Sequence, residues 1–219
     1  MKTKLAILDF DETIKEYYQG DWDLWTKYNQ SLKTGKNLFN SKTEMVEELK
    51  QNFILVKGMD QVLKKLSEDH EIIIVSANNL DNVQMALEKY HLDEYIEKIF
   101  AIPSMITEDA KVLEYPVPNE WGGPCEISGR AICKSACVQY FLKNRKYYEK
   151  ILYIGDGKND LCACLHIDGD NLMIYPRDGI SLKNNKKYSL ISLLNSRCMQ
   201  AKITPWNNGM DLLESIFAQ

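Results

Sequence analysis

Two aspartates, at positions 9 and 11, are the residues of this sequence best placed to do chemistry. They lie in the run from Asp9 to Thr13, directly after the apolar residues 5–8. That apolar stretch is typical of a buried strand, and side chains two apart on an extended segment point the same way. Two carboxylates held this close repel each other unless a cation or a proton separates them. The pattern indicates a cation-binding or acid–base site, and a polar strand end followed by a turn is the alternative.

Two further apolar stretches also end in polar or acidic residues. Residues 151–154 precede the loop from Gly155 to Asp160, whose glycines permit a tight turn and a close approach of backbone to a ligand. Residues 72–75 precede Ser76. In an open parallel sheet, ligands bind outside the carboxyl ends of the strands. Together the three stretches predict one shared site at a sheet edge.

The rest of the chain predicts an α/β protein around these strands. With 219 residues, 45% of them hydrophobic, it is long enough for one core domain plus a small insertion. Strands are predicted over residues 4–9, 72–75, 98–102, 151–154, 172–175 and near 203, with a β excursion over 108–117. Helices are predicted over residues 21–28, 41–49, 58–67, 79–90, 130–148, 159–165 and from 209 onward.

These motifs together resemble those of phosphatases of the haloacid dehalogenase superfamily. The matching positions are the run from Asp9 to Thr13, then Ser76, Lys134, and the loop from Gly155 to Asp160. The chain is also similar to a eukaryotic branch that acts on phosphoethanolamine, phosphocholine or pyridoxal 5′-phosphate. That narrower likeness rests on Cys133-Lys134, Gly155-Asp156-Gly157, Asn159-Asp160, Cys162, the run from Tyr175 to Gly179, and Pro205-Trp206.

The resemblance implies a fold and a division into domains. The fold is a Rossmann-like core with a central parallel sheet flanked by helices, plus a small helical cap inserted between the first two core strands. On this basis we expect residues 1–14 and 70–219 to form the catalytic core. Residues 15–69 are expected to form the cap that closes over the active site.

The resemblance also implies a role for each matching residue. Asp9 would attack phosphorus and form an aspartyl phosphate, and Asp11 would protonate the leaving oxygen and then take a proton from water. Ser76 and Lys134 would bind the substrate phosphate. Considered alone, Ser76 is equally a strand-end or helix-cap residue, and Lys134 is equally a lysine on an exposed helix face.

Mg²⁺ is the expected cofactor. The available ligands are hard oxygens, which suit this ion, and we expect Asp9, the backbone carbonyl of Asp11, and Asp156 to bind it. Asp160 is expected to bind through water or to orient the loop. Asn159 is expected to help hold the loop, and turn formation alone explains it nearly as well.

The expected substrate is a small phosphorylated metabolite. Phosphatases of this branch that act on phosphoethanolamine or phosphocholine carry an acidic residue directly after the serine, where this chain has Ala77. The loss of a fixed anion weakens the attraction for an ammonium group. Asp21, Trp22 and Ala77 are therefore candidates for the substrate pocket, and pyridoxal 5′-phosphate is the first candidate substrate.

Alternative functions stay open. The chain could be a phosphoethanolamine or phosphocholine phosphatase if Glu16, Asp21 or Asp23 supplies the missing anion. It could transfer the phosphoryl group to another acceptor, or be a binding protein that keeps the phosphatase fold without catalysis. The complete set of motif residues argues against the last alternative.

Charge and apolar patterning exclude other classes of function. A net charge of −4 disfavours nucleic-acid binding, which needs a basic face. No apolar run approaches the length of a membrane span, so we expect neither nucleic acid nor membrane as a partner. Residues 1–4 lead straight into the first strand and leave no room for a signal peptide. We therefore expect a cytoplasmic protein.

The six cysteines are expected to be reduced thiols, several of them packed in the core. Cys162, Cys164 and His166 have the spacing of a zinc-site fragment. They fall in a predicted helix, where residues two apart face different directions. We therefore do not expect this fragment to hold a metal.

Overall fold

A computed structural model of the chain describes residues 2–16, 39–128, 132–143, 145, 147–167, 170–178, 189–197 and 199–218. The predicted helix over residues 21–28 and the pocket candidates Asp21 and Trp22 lie outside the described residues.

The centre of the fold is a six-stranded sheet in the order β3-β2-β1-β6-β7-β8, with every neighbouring pair parallel. Its strands are β1 (Lys4–Leu8), β2 (His70–Asn79), β3 (Lys98–Ile102), β6 (Lys150–Gly155), β7 (Leu172–Pro176) and β8 (Lys202–Ile203). A separate antiparallel hairpin is formed by β4 (Ser104–Ile106) and β5 (Val112–Glu114). The predicted parallel α/β core is confirmed.

Helices cover both faces of the sheet. They are α1 (Lys42–Asn52), α2 (Met59–Leu66), α3 (Leu80–Lys89), α4 (Lys134–Lys143), α5 (Leu161–His166), α6 (Leu190–Asn195) and α7 (Gly209–Phe217). Alternate residues of a strand face opposite sides of the sheet. Ala6 and Leu8 therefore pack with α1, α2, α3 and α7, whereas Leu5 and Ile7 pack with α4, α5 and α6.

Helix α4 is shorter than the predicted helix over residues 130–148. It begins at Lys134 and ends at Lys143. Ile132 and Tyr148 are buried outside the helix, and the Tyr148 hydroxyl donates to Glu71 Oε2 at 2.7 Å. The apolar spacing that predicted the longer helix thus includes residues that are buried in the segments before and after α4. The shorter helix places Lys134 at its first residue.

Other boundaries also differ from the sequence prediction. Strand β2 continues past residue 75 to Asn79 and so includes Ser76, and the β excursion is the tight hairpin of β4 and β5. Ser41 and Glu44 have the spacing of a capping box, and the Ser41 hydroxyl accepts a hydrogen bond from Glu44 N at the start of helix α1. Among the described residues, no helix is both long enough and apolar enough to cross a membrane.

Candidate active site

The carboxyl ends of three neighbouring strands converge at one edge of the sheet. Leu8 of β1 lies beside Ile74 of β2 and Ile154 of β6 in the strand register. The next residue, Asp9, donates its backbone N–H to the Ile154 carbonyl at 2.9 Å. This pairing brings the residues after β1, those after β6 and those at the end of β2 to one place, as the sequence predicted.

A buried lysine joins two of the aspartates. Lys134 Nζ lies 2.5 Å from Asp9 Oδ1 and 2.7 Å from Asp160 Oδ1, and the three side chains are almost wholly shielded from solvent. Burial opposes the charge of the ammonium, but Asp160 and Asp9 together raise the pKa of Lys134 above its usual range. Lys134 is therefore a fixed buried cation, not a lysine on an exposed helix face.

Asp160 is held from several sides. Its Oδ1 accepts from the Tyr153 hydroxyl at 2.8 Å, and its Oδ2 accepts from the backbone N–H of Asp156 at 3.1 Å and of Gly157 at 2.9 Å. A Cβ at Gly155 would lie 2.7 Å from the carboxyl carbon of Asp160. Glycine at position 155 therefore lets Asp160 fold back onto the loop.

Three carboxylates gather close enough to hold a cation. Asp9, Asp156 and Asp160 each offer an oxygen within 4.8 Å of the others. Burial and the Asp160 charge raise the pKa of Asp9 to about 7, although Lys134 opposes that shift. Burial and the charges of Asp9 and Asp160 raise the pKa of Asp156 well above its usual range. A divalent cation bound to oxygen would relieve this repulsion, so the donor set fits Mg²⁺.

Asp11 lies nearer to solvent than Asp9. Its side chain is half exposed and 3.7 Å from Lys15 Nζ. The Asn78 side-chain amide donates to Asp11 Oδ1 and Oδ2 at 3.2 and 3.1 Å. Ser76 is buried, and its Oγ accepts from Asn78 N at 3.0 Å. Asn78 therefore links the end of β2 to Asp11.

Arg177 fastens the turn that follows Asp11. Its Nη1 donates to the Glu12 carbonyl at 2.7 Å, and its Nη2 lies 2.6 Å from Glu16 Oε1. The guanidinium also stacks over the Trp206 ring at 5.4 Å from the centroid. Glu12 has a φ of 58°, which is uncommon for a residue other than glycine. These contacts of Arg177 stabilise the turn, in which Glu12 has an unfavourable backbone conformation.

The other candidates have less to contribute in the described part of the chain. The side chain of Asn159 folds back over Gly157, where a Cβ would lie 2.8 Å from Asn159 Oδ1. Ala77 is half-buried against the core cluster that contains Val75. It brings no charge to the site.

Sequence reasoning gave no role to three residues that support this site: Asn78, Tyr153 and Arg177. Arg177 lies inside the run from Tyr175 to Gly179, and Asn78 follows Ser76 by two residues; these positions were the available signal. Tyr153 reads as one more apolar strand residue, and its hydroxyl contact with Asp160 could not be found without the fold.

The comparisons with known proteins agree with this arrangement. The family model described as Putative Phosphatase matches residues 15–219. The human protein named pyridoxal phosphate phosphatase PHOSPHO2 is 25% identical over 158 residues, which cover 70% of this chain and 63% of the human protein. The mouse protein of the same name is 23% identical over 239 residues, which cover 97% of this chain and 96% of the mouse protein.

Solved structures show the same fold. The crystal structure of a phosphoserine phosphohydrolase-like protein from Francisella tularensis superposes with a TM-score of 0.61 at 16% identity, covering 98% of this chain and all of that one. This likeness shows that the two proteins share a fold. The family match over nearly the whole chain shows that the protein belongs to the Putative Phosphatase family, and its motifs resemble those of the haloacid dehalogenase superfamily.

Proposed function

We propose that this protein is a Mg²⁺-dependent phosphomonoesterase that hydrolyses a small phosphorylated metabolite through an aspartyl phosphate on Asp9. One observation carries the proposal. Asp9, Asp156 and Asp160 converge within 4.8 Å beside the buried ammonium of Lys134. One carboxylate is enough to pair with the Lys134 ammonium, whereas three carboxylates leave an excess of negative charge that a cation would neutralise.

The first chemical step uses Asp9 and Asp11. A carboxylate oxygen of Asp9 forms a bond to phosphorus as the ester oxygen–phosphorus bond breaks. Asp11 gives its proton to the leaving oxygen. Lys134, 2.5 Å from Asp9 Oδ1, favours the ionised carboxylate that the attack requires.

The second step returns the site to its starting state. Water attacks phosphorus, Asp11 accepts the proton of that water, and the bond from phosphorus to the Asp9 oxygen breaks to release phosphate. Asn78, which donates to both oxygens of Asp11, orients this group for both transfers.

Asp9, Asp156 and the backbone carbonyl of Asp11 are the proposed ligands of Mg²⁺. The bound ion supplies charge neutralisation for the phosphoryl oxygens. Asp160 serves as a positioning residue, because both of its oxygens already accept hydrogen bonds from Lys134, Tyr153 and the loop backbone.

Ser76 and Lys134 are the proposed contacts to the substrate phosphate. The Ser76 oxygen accepts from Asn78 N, and its hydroxyl proton is the group it can present to a phosphate oxygen. Lys134 contributes charge from the side of Asp9. Ser76 lies near the carboxyl end of β2, where ligands of parallel sheets bind, and the Lys134 ammonium reaches the same edge of the sheet through its contact with Asp9.

Pyridoxal 5′-phosphate is the proposed substrate, in keeping with the name of the human and mouse relatives. Ala77 provides no anion for an ammonium group. Glu16, which could have replaced that anion, is engaged by Arg177 through both of its carboxylate oxygens. Both observations weigh against phosphoethanolamine and phosphocholine.

A panel of phosphorylated metabolites tests the substrate. Phosphate release is measured with Mg²⁺ for pyridoxal 5′-phosphate, phosphoethanolamine, phosphocholine and p-nitrophenyl phosphate, for wild type and Ala77→Asp. We expect pyridoxal 5′-phosphate to have the highest kcat/KM, and Ala77→Asp to shift selectivity towards phosphoethanolamine by about tenfold or more. A wild type that prefers phosphoethanolamine or phosphocholine by about tenfold contradicts the assignment of the substrate. A wild type that hydrolyses none of the four, p-nitrophenyl phosphate included, supports a binding protein instead.

The proposal extends to domain organisation and location. We propose that the cap is the insertion at residues 15–69, in which α1 and α2 pack on the sheet and connect it to β2, with residues 1–14 and 70–219 as the core. We also propose a cytoplasmic location, which suits the free thiols of the five described cysteines. Cell fractionation under conditions that preserve thiols tests the location.

A further inference from the structure

Three cysteines from separate parts of the chain converge near the starts of two helices. The sulfur atoms of Cys125, Cys133 and Cys162 all lie within 4.8 Å of one another. Cys133 directly precedes α4, and Cys162 is the second residue of α5. Cys162 is buried, whereas Cys125 and Cys133 are half-buried. The cluster is therefore reachable from solvent on one side.

The surroundings of Cys125 favour its thiolate form. Ser128 N donates to Cys125 Sγ at 3.2 Å, and the Ser128 hydroxyl oxygen lies 3.1 Å from the same sulfur. The Cys162 thiol donates to the Asn159 carbonyl at 3.4 Å, and burial raises the pKa of Cys162 to about 12, so this thiol gives up its proton only when a metal binds. Burial opposes ionisation of Cys125, but the hydrogen bonds from Ser128 and its neighbours lower the pKa of Cys125 to about 7. Such donors stabilise a thiolate, which is the form that binds metals.

The spacing of the sulfurs suits a tetrahedral metal. Zinc bonds to thiolate sulfur at about 2.3 Å, which places two sulfurs about 3.8 Å apart. Sulfurs that already lie within 4.8 Å reach this spacing through small side-chain movements. A disulfide would use two of the three sulfurs, whereas a soft or borderline cation uses all of them.

We propose that Cys125, Cys133 and Cys162 form a zinc site, with water in the fourth position on the exposed side. This is not the fragment with zinc-like spacing considered from the sequence. His166 Nδ1 instead contacts the Cys162 backbone carbonyl at 2.6 Å. Zinc at this site joins the loop that carries Cys125 to the starts of α4 and α5.

The zinc site serves a structural purpose next to the catalytic residues. Lys134 follows Cys133, and Asp160 lies two residues before Cys162. Zinc therefore joins the two segments that supply the buried ion pair between Lys134 and Asp160. This places the site outside the set of groups that contact substrate.

Cobalt is the probe that tests this site in the full-length protein. The reduced protein is titrated with Co²⁺ in excess Mg²⁺, which occupies the carboxylate site. We expect thiolate-to-cobalt charge-transfer absorption that saturates at about one metal per chain and disappears when Zn²⁺ displaces the cobalt. Cys125→Ala abolishes this absorption. Cys164→Ala, which removes a buried thiol outside the cluster, leaves it intact.

Thermal stability and alkylation give independent readouts. Zn²⁺ at about a hundred times its Kd is expected to raise the Tm of wild type and Cys164→Ala by about 5–10 °C, but not that of Cys125→Ala. If Cys125→Ala does not fold, alkylation of the wild-type protein tests the site instead. Bound Zn²⁺ must then protect Cys125 and Cys133 from the alkylating reagent. Absence of charge-transfer absorption, its persistence in folded Cys125→Ala, or unprotected cysteines in the presence of Zn²⁺ overturns the proposal.

Discussion

Replacement of Lys134 by methionine is the sharpest perturbation of the buried charges at this site. Lys134→Met keeps the length and apolar stem of the side chain but removes the ammonium that contacts Asp9 and Asp160. Both carboxylates then stay buried without a cation. Removing one partner of a buried ion pair costs about 3–5 kcal/mol. For a chain of this size that loss corresponds to a fall in Tm of about 6–20 °C.

The assay for Lys134→Met is thermal unfolding without divalent metal, followed by steady-state hydrolysis with Mg²⁺. Lys134 opposes the rise in the pKa of Asp9, so the variant's Asp9 should ionise only above about pH 7. The acidic limb of the pH–activity profile should therefore lie at higher pH in the variant than in wild type. The double variant Lys134→Met with Asp160→Asn should lose less stability than Lys134→Met alone. The second substitution removes the Asp160 carboxylate, which would otherwise stay buried without a cation.

Lys4→Met is the matched control. Lys4 Nζ lies 2.6 Å from Asp69 Oδ2, a distance close to those of Lys134, but both partners are more than a third exposed. An exposed pair contributes at most about 1 kcal/mol. If Lys134→Met costs no more stability than Lys4→Met, the buried ion pair does not stabilise the fold as argued.

Three other perturbations have equally definite expectations. Asp11→Asn should slow turnover of an alkyl phosphate by about a hundredfold or more, and less for p-nitrophenyl phosphate, whose leaving group needs little protonation; equal losses contradict the acid role. Gly155→Ala should cost about 1–3 kcal/mol by displacing Asp160, whereas Gly123→Ala, whose Cβ meets nothing within 4 Å, should be neutral in thermal unfolding. Burial lowers the pKa of His70, although the neighbouring Asp69 carboxylate opposes this shift. As pH falls, this imidazole therefore takes up a proton in the unfolded chain before it does so in the folded protein. Stability should then fall as pH drops below about 6.5, and His70→Gln should flatten the Tm–pH profile.

Most of the site could be predicted because each motif follows an apolar strand. The alternation of strands and helices fixes a parallel sheet, and a parallel sheet brings the carboxyl ends of β1, β2 and β6 to one edge. The local pattern alone therefore predicts the convergence of four site residues, namely Asp9, Asp11, Ser76 and Asp156. Their proposed roles remain predictions for the experiments above.

The parts that the sequence did not reveal depend on contacts between distant segments. Tyr153 approaches Asp160 only because Gly155 permits the loop to fold back. Arg177 reaches Glu12 across 165 residues of chain, and no local pattern encodes that contact. The cysteines at 125, 133 and 162 likewise have no regular spacing, and only the packing of α4 and α5 unites them.

Identification of the phosphorylated residue tests the proposed chemistry. Wild-type enzyme is mixed with substrate and Mg²⁺, quenched in acid within the first turnovers, digested and mapped by mass spectrometry, with Asp9→Asn as the control. We expect a transient phosphoryl group on the peptide that carries Asp9, and neither phosphorylation nor turnover in Asp9→Asn. A phosphoryl group on another residue, or an Asp9→Asn preparation that keeps more than about a few per cent of wild-type turnover, would contradict nucleophilic attack by Asp9.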